Sequence, residues 1–483
     1  VQPSGQAQRV PKRCFFAGLV WSKEPFMRWM PAFFPVCIVF GLSPSIAWAE
    51  APSLQSAIGN PDDFKLSGSV RARYETLDGQ PRVGFNAHDE QIALRTTLLA
   101  QYRSSTWRIG AEIYDSRAYL DKVGSAVSAN EVNALELVQA YVGADLHDVL
   151  GPGTSFQLQA GRMMLNLGSR RLVAADDYRN TTNGYTGIRA DLKTAGGVTA
   201  TAIYMLPQVR RPDDLAEVRD NKVRRDRESF DLQLWGAVVA RPATIAGASV
   251  DLSYFRLRED DSPGRPNRNR DLHTFGARLL RDPKAGAVDF EAEGIYQFGH
   301  IRAGLAAAAP RLDVAAYFVH LDAGYSVPGR AGLRVSVEYD LASGDGRGGK
   351  FGRFDTLFGM RRADLAPAGI YNAIGRANIS TPDLRIEIAP GKRFDAFAGY
   401  RAMWLASRSD AFSTTGVRDA SGRSGRFAGH QVEARARYWL VPGFLRGELD
   451  GVWLGKGRFL KAAPNAPDTG DTHYLAAAMT ATF

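Results

Sequence analysis

The sequence predicts an all-β fold: a transmembrane antiparallel β-barrel of about 18 strands, with short periplasmic turns and long extracellular loops. Three observations predict it. Apolar and polar residues alternate along many short segments, the period of a half-buried strand. The breaks between these segments are alternately short and long. Beyond residue 49 no run of 18 apolar residues occurs, so membrane-spanning helices are not expected.

The N-terminal region sets the compartment. From Met27 the chain reads Arg28, an apolar core to Leu42, then Ala47-Trp48-Ala49. That is the layout of a secretory signal with an A-x-A cleavage site after Ala49. Residues 1–26 read as an upstream over-call before the true start. Pro31, Pro35 and Pro44 interrupt the apolar run and argue against an anchor. Both cysteines, Cys14 and Cys37, fall in the removed part, so disulfides and thiolate chemistry are excluded. The whole-chain charge of +9 falls to +5, since residues 1–49 hold five of the 60 Lys/Arg and one of the 51 acids (55 − 50). Export removes nucleic acid as a partner. The remaining positive charge points to an anionic solute or surface.

Residues 50–63 form a short extended periplasmic lead, and 64–483 the barrel. "WRIGAEIY" places Trp107, Ile109, Ala111 and Ile113 on one face and Arg108 and Glu112 on the other. "VDFEAEGIYQF" (288–298), "GLRVSVEYDL" (332–341), "RFDAFAGYRAMW" (393–404) and "HQVEARARYWL" (430–440) repeat the scheme. A soluble sandwich also alternates, but it would bury the frequent charges on the second face at prohibitive cost. Turns are expected at 104–105, 145–153, 194–196, 242–246, 282–285, 328–331, 390–392 and 441–443. Longer polar loops are expected near 77–90, 116–133, 165–184, 206–229, 259–271, 299–310, 343–381, 406–428 and 456–472. Short turns facing the periplasm and long loops facing outward are the outer-membrane pattern. The closing "HYLAAAMTATF" then reads as the last strand, sealing against the first and ending on Phe483. The 434 residues left after cleavage (483 − 49) allow about 24 per strand and connection. Barrels of 16–18 strands leave an aqueous lumen, so a channel is the expectation.

Strand parity assigns the lumen face. Near the seam it selects Arg71, Arg73, Arg95, Arg103, Arg108, Arg435, Arg437 and Arg446, with Glu75, Glu112, Glu433, Glu448 and Asp450. On the opposite wall it selects Asp231, Asp289, Glu291, Glu293, Glu338 and Asp340, with Arg278 and Arg334. The expectation is a basic wall facing an acidic one, either setting up a transverse field or pairing with neighbours on adjacent strands. The loop at 165–184 carries Arg170, Arg171, Asp176, Asp177, Arg179 and Asn180. Folded inward, it would narrow the lumen, and guanidiniums suit that task because they grip carboxylates bidentately.

Other motifs are weak. "GDGRGGKF" (344–351) has Phe351 where a phosphate-binding loop needs Ser or Thr, and no strand-to-helix context. The seven histidines never take metal-ligand spacing. Asp62-Asp63, Asp213-Asp214 and Asp260-Asp261 supply too few oxygens for a calcium site. No nucleophile–base pair stands out on the barrel wall, so no enzyme activity, cofactor or metal is expected.

Residues 158–192 resemble the signature region of the alginate export outer-membrane channel family. The matching blocks are Gly161-Arg162, Arg171-Leu172-Val173, Tyr178-Arg179-Asn180-Thr181 and Tyr185-Thr186-Gly187-Ile188-Arg189. "SVRARYE", "YDSRAY", "LVQAYVGA" and "YDLASGDG…FDTLFG" add further matches in the same order, so the resemblance covers essentially the whole mature chain. Tyr178 stands where the family has Trp, and Tyr185-Thr186 where it has Phe-Asp. The resemblance implies a monomeric 18-stranded barrel with an electropositive constriction passing an anionic polyuronate outward. It implies constriction roles for Arg162 and Arg189. Parity points Arg189 inward. It puts Arg162 on the face of Phe156, Leu158 and Ala160, so Arg162 must lie past the bilayer edge or after a bulge. The expected partners are an anionic polysaccharide or small anionic solute, outer-membrane lipid and lipopolysaccharide, and periplasmic export components. A general or substrate-selective porin for small acids or sugars is the alternative.

Overall fold

The computed structural model describes residues 51–483 apart from 177, 263, 361–363 and 366. The signal reading (27–49) and residues 1–26 lie outside the described residues. The lead, expected to be extended, contains one helical turn, Leu54–Ala57 (α1), because the Ser53 hydroxyl accepts the Ser56 N–H and caps it.

Eighteen antiparallel strands close into one sheet among the described residues. They are β1 Phe64–Asp78, β2 His88–Arg103, β3 Trp107–Tyr119, β4 Asn133–His147, β5 Ser155–Met163, β6 Tyr185–Lys193, β7 Thr199–Pro207, β8 Leu232–Ile245 and β9 Ala248–Glu259. The second half comprises β10 Asp271–Arg281, β11 Val288–Arg302, β12 Arg311–Ser326, β13 Arg334–Ala342, β14 Ile379–Gly391, β15 Phe394–Trp404, β16 Phe427–Val441, β17 Leu445–Lys456 and β18 Thr472–Thr482. Each pairs with the next, and β18 returns to β1 with Tyr74 opposite Ala477. Closure leaves no unpaired strand edge, which hydrocarbon would not tolerate.

One end of the barrel carries connections of two to seven residues, the other connections of eight to 36. The outer face is apolar and exposed, as on β3, where Trp107, Ile109 and Ile113 alternate with buried Arg108 and Glu112. Outward aromatics gather near both ends of the strands. Tyr102, Trp107, Tyr325 and Tyr438 lie toward the short turns, and Tyr74, Tyr119, Trp404 and Trp453 toward the long loops. These are the girdles of a lipid-facing band.

The main core lies inside the loop half of the barrel. Leu165, Leu172 and Val173 of the 164–184 connection pack with Phe354, Ile370, Tyr371 and Ile374 of the 343–378 connection, and with Phe412, Phe459 and Leu460. Two connections therefore fold inward, and their apolar side chains bury one another rather than facing solvent.

Candidate functional site

The lumen wall carries most of the charges that parity selects, and the inward loops engage many of them. Arg71 and Arg73 of β1 and Arg95 of β2 all reach the loop 164–184 backbone. Arg71 and Arg95 donate to the Arg179 carbonyl at 2.8 and 3.3 Å, and Arg73 to that of Tyr178. Asn180 is gripped in turn. Its carbonyl accepts the Ser116 hydroxyl at 2.7 Å, and its amide donates to the carbonyls of Leu94 and Glu131 at 2.9 and 2.8 Å. Guanidiniums thus hold peptide carbonyls here.

On the other side of the lumen the same loop presents Arg171. It donates to Asp364 at 2.8 Å, to Glu293 at 2.6 Å and to Glu291. Arg376 and the backbone of residue 364 extend the cluster: Arg376 pairs with Asp364, and Arg401 donates to the Asp364 carbonyl at 2.7 Å. Burial pushes the Asp364 carboxyl up, but Arg171, Arg376 and His320 pull it well below the ordinary carboxylate range. The two inward loops join directly through a parallel bridge between Val173 and Phe358. Gly359 sits where any Cβ would meet the Arg171 carbonyl, so that approach requires glycine. The 343–378 loop also reaches β1, where Glu75 accepts the Ile370 N–H at 3.0 Å.

Most of the rest of the expected acidic wall is paired. Arg334 bonds Asp289 at 3.0 Å and also Asp322, Arg278 takes Asp251 and Glu291, and His320 takes Asp340 at 2.8 Å. Glu338 lies near Arg401 and Arg385. Of the two arrangements the sequence allows, cross-strand pairing therefore accounts for most of this wall. Asp231 is not on the wall: it lies just before β8 and pairs with Arg227.

Arg162 and Arg189 part company. Arg189 faces inward on β6 and forks onto Asp191 at 2.7 and 2.9 Å. Arg162 pairs in register with Ala140 and Thr186, on the outward parity of Leu158 and Ile188. It sits at the loop end of β5 and pairs with Glu136 at 2.5 Å and Glu228 at 3.0 Å. Glu228 belongs to the 208–231 connection, so Arg162 fastens a loop to the rim instead of lining the lumen. Arg179 pairs with Asp176 and donates to Asn130 and Asn183, all loop residues. Arg170 adopts a left-handed backbone and its N–H caps a turn onto Leu167.

The family model for alginate export matches residues 63–470. The chain belongs to the alginate export family. It is an outer-membrane channel. No curated protein matches it. Its fold is similar to solved outer-membrane porins. A BenF-like porin from Pseudomonas fluorescens Pf-5 aligns with TM-score 0.56 and 12% identity over 87% of this chain and 99% of that one. OccK2 (OpdF) of Pseudomonas aeruginosa aligns with TM-score 0.55 and 13% identity over 87% and 98%. The same protein in complex with glucuronate gives 0.53 and 13% over 87% and 97%.

Within this family member, the brace residues that periodicity overlooks are Asp364, Tyr371, Arg376 and Tyr474. Tyr371 donates to Gln431 at 2.7 Å, and the hydroxyls of Tyr178 and Tyr474 meet at 3.0 Å. A signal was present for the first three: Leu365, Ile370, Tyr371 and Ile374 make the 343–378 connection too apolar for a solvated loop.

Proposed function

We propose that the channel passes an anionic polysaccharide or oligosaccharide, an alginate-like polyuronate, through an arginine-lined lumen. The supporting observation is a division among the inward arginines. Arg73 and Arg171 are 2% and 4% exposed and spent on the loop brace. Arg435, Arg437 and Arg189 keep 20%, 29% and 29% of their side-chain surface open. Arg435 and Arg437 both approach Asp395, at 3.5 and 2.9 Å, and Arg385 and Arg435 flank the Phe397 ring at 3.8 and 4.9 Å. Planar guanidiniums edged toward water suit a passing carboxylate. In this reading Arg435, Arg437 and Arg189 contact the solute, while Arg71, Arg73, Arg95, Arg171 and Arg179 hold the constriction. The channel works as a monomer in lipid and lipopolysaccharide, fed by periplasmic export components at the short-turn end.

The second reading is a substrate-selective porin for small acids or sugars. The two loops joined across the lumen favour it, because a passage narrowed in this way suits small solutes. Planar bilayers separate the readings. With a salt gradient, the polyuronate reading expects an anion-selective reversal potential and block by oligouronate. Replacing both Arg435 and Arg437 by Gln is expected to weaken block about tenfold, or ~1.4 kcal/mol. Cation selectivity without block would overturn it. Flux of monomeric acids with exclusion of oligomers would select the porin.

A further inference from the structure

We infer a carboxylate-sugar subsite in the loop-end vestibule, outside the narrowed lumen. A cavity of about 510 Å³ opens there between the connections 260–270, 343–378 and 405–426. That lies within the range of about 300–1,000 Å³ typical of small-ligand sites. Its lining includes Arg268, Arg270, Arg353, Arg376, Phe351 and Asp355.

The arginines differ in what they have left to give. Arg270 is taken by Glu259 and Asp355, at 2.9 and 2.8 Å. Arg353 is taken by Asp410 and the Ala411 carbonyl, at 2.7 and 2.8 Å. Arg376 is taken by Asp364 and the Met360 carbonyl. Arg268 is different. Its Nε donates to the Arg302 carbonyl at 2.7 Å, which fixes the plane of the group over the Phe351 ring, 4.7 Å from the centroid. Neither terminal nitrogen has a partner among the described residues. A guanidinium held rigid by its Nε, backed by an aromatic ring and open along its terminal edge is preorganised for a planar carboxylate. Two carboxylates act on Arg268: Asp345 accepts the Gly352 N–H at 3.0 Å, and Asp355 is engaged by Arg270.

The ligand class is a uronate: one carboxylate for Arg268 and hydroxyls for the surrounding polar groups such as Thr414 and Asn267, which also line the cavity. The inference deepens the polyuronate reading and rests on it for the identity of the polymer, but it has its own test. Refolded full-length barrel in detergent is titrated with monomeric glucuronate by calorimetry, as wild type, Arg268→Gln and Phe351→Ala. In parallel, oligouronate is added to either side of a bilayer.

The expected result is a five- to tenfold loss of glucuronate affinity in Arg268→Gln. Block from the loop-end side weakens by the same factor, while block from the turn end and unitary conductance stay unchanged. Phe351→Ala, which leaves the charge in place, loses less. Glucuronate binding equal in wild type and Arg268→Gln, or no binding in wild type, overturns the subsite. Arg268-dependent glucuronate binding without oligouronate block from either side keeps the subsite and sinks polymer passage instead.

Discussion

Arg171 binds three carboxylates from two segments of chain: Glu291 and Glu293 of β11, and Asp364 of the 343–378 loop. Removing one partner of such a buried set costs far more than the set contributes, because charges are stranded out of water. Arg171→Met is expected to loosen the joined loops by about 3 kcal/mol and to raise single-channel conductance. Arg171→Lys should recover only part of this, since a compact ammonium lacks the planar five-donor fork that spans the three carboxylates. Conductance of both variants equal to wild type would show that the loops do not set the constriction. Single residues were only partly legible in the sequence. Parity assigns Arg71, Arg73 and Asp289 to the inner wall, and all three are buried, because side-chain direction in a strand follows from period 2. It says nothing about what reaches them across the lumen. That is why guanidiniums read as lining the lumen hold the carbonyls of Tyr178 and Arg179.

At the scale of elements, two of the long connections are clasped by acids with raised proton affinity. Burial, then Glu75, push the Glu131 carboxyl of the 120–132 connection up to about 7. Burial, then Glu136, do the same to Asp226 of the 208–231 connection, also to about 7. Each binds its proton more tightly in the packed loop than in an unfolded chain. Loop packing therefore loses stability as pH rises from the ordinary carboxylate range, near about 4, to about 7, and is level above that. Amide exchange in these two segments, corrected for intrinsic rates, is expected to be slower at pH 5 than at pH 8. In Glu131→Gln the pH difference over 120–132 should shrink; if it persists unchanged, Glu131 is not the titrating group. The strands were readable from the sequence because lipid enforces strict alternation. The inward course of the loops was harder. Nothing periodic marks them, and the apolar run from Leu365 to Ile374 was the one sign that the 343–378 connection needed a place to hide.

The whole molecule depends on a seam between its two ends. Gly68 donates its N–H to the Phe483 carbonyl at 2.7 Å and accepts the Phe483 N–H at 2.9 Å. A Cβ at position 68 would lie 2.7 Å from the Phe483 ring and 2.9 Å from the Thr97 carbonyl. Gly68→Val is therefore expected to lower the yield of closed barrel, read as the heat-modifiable band on a gel. Adding Phe483→Ala should restore only part, because the Thr97 carbonyl stays in place. An unchanged yield in Gly68→Val would mean the ring simply swings aside.

The inward loop touches both sides of that seam. Tyr178 offers its carbonyl to Arg73 of β1 and its hydroxyl to Tyr474 of β18, contacts separated by 105 and 296 residues. Bringing β1 and β18 together directly must close a span of 401 residues (474 − 73), and such non-local closures are slow steps in folding. A loop already docked on β1 divides the search into two shorter legs. The segment that narrows the finished pore is thus also a strap across the closure, tied to the first strand and to the last.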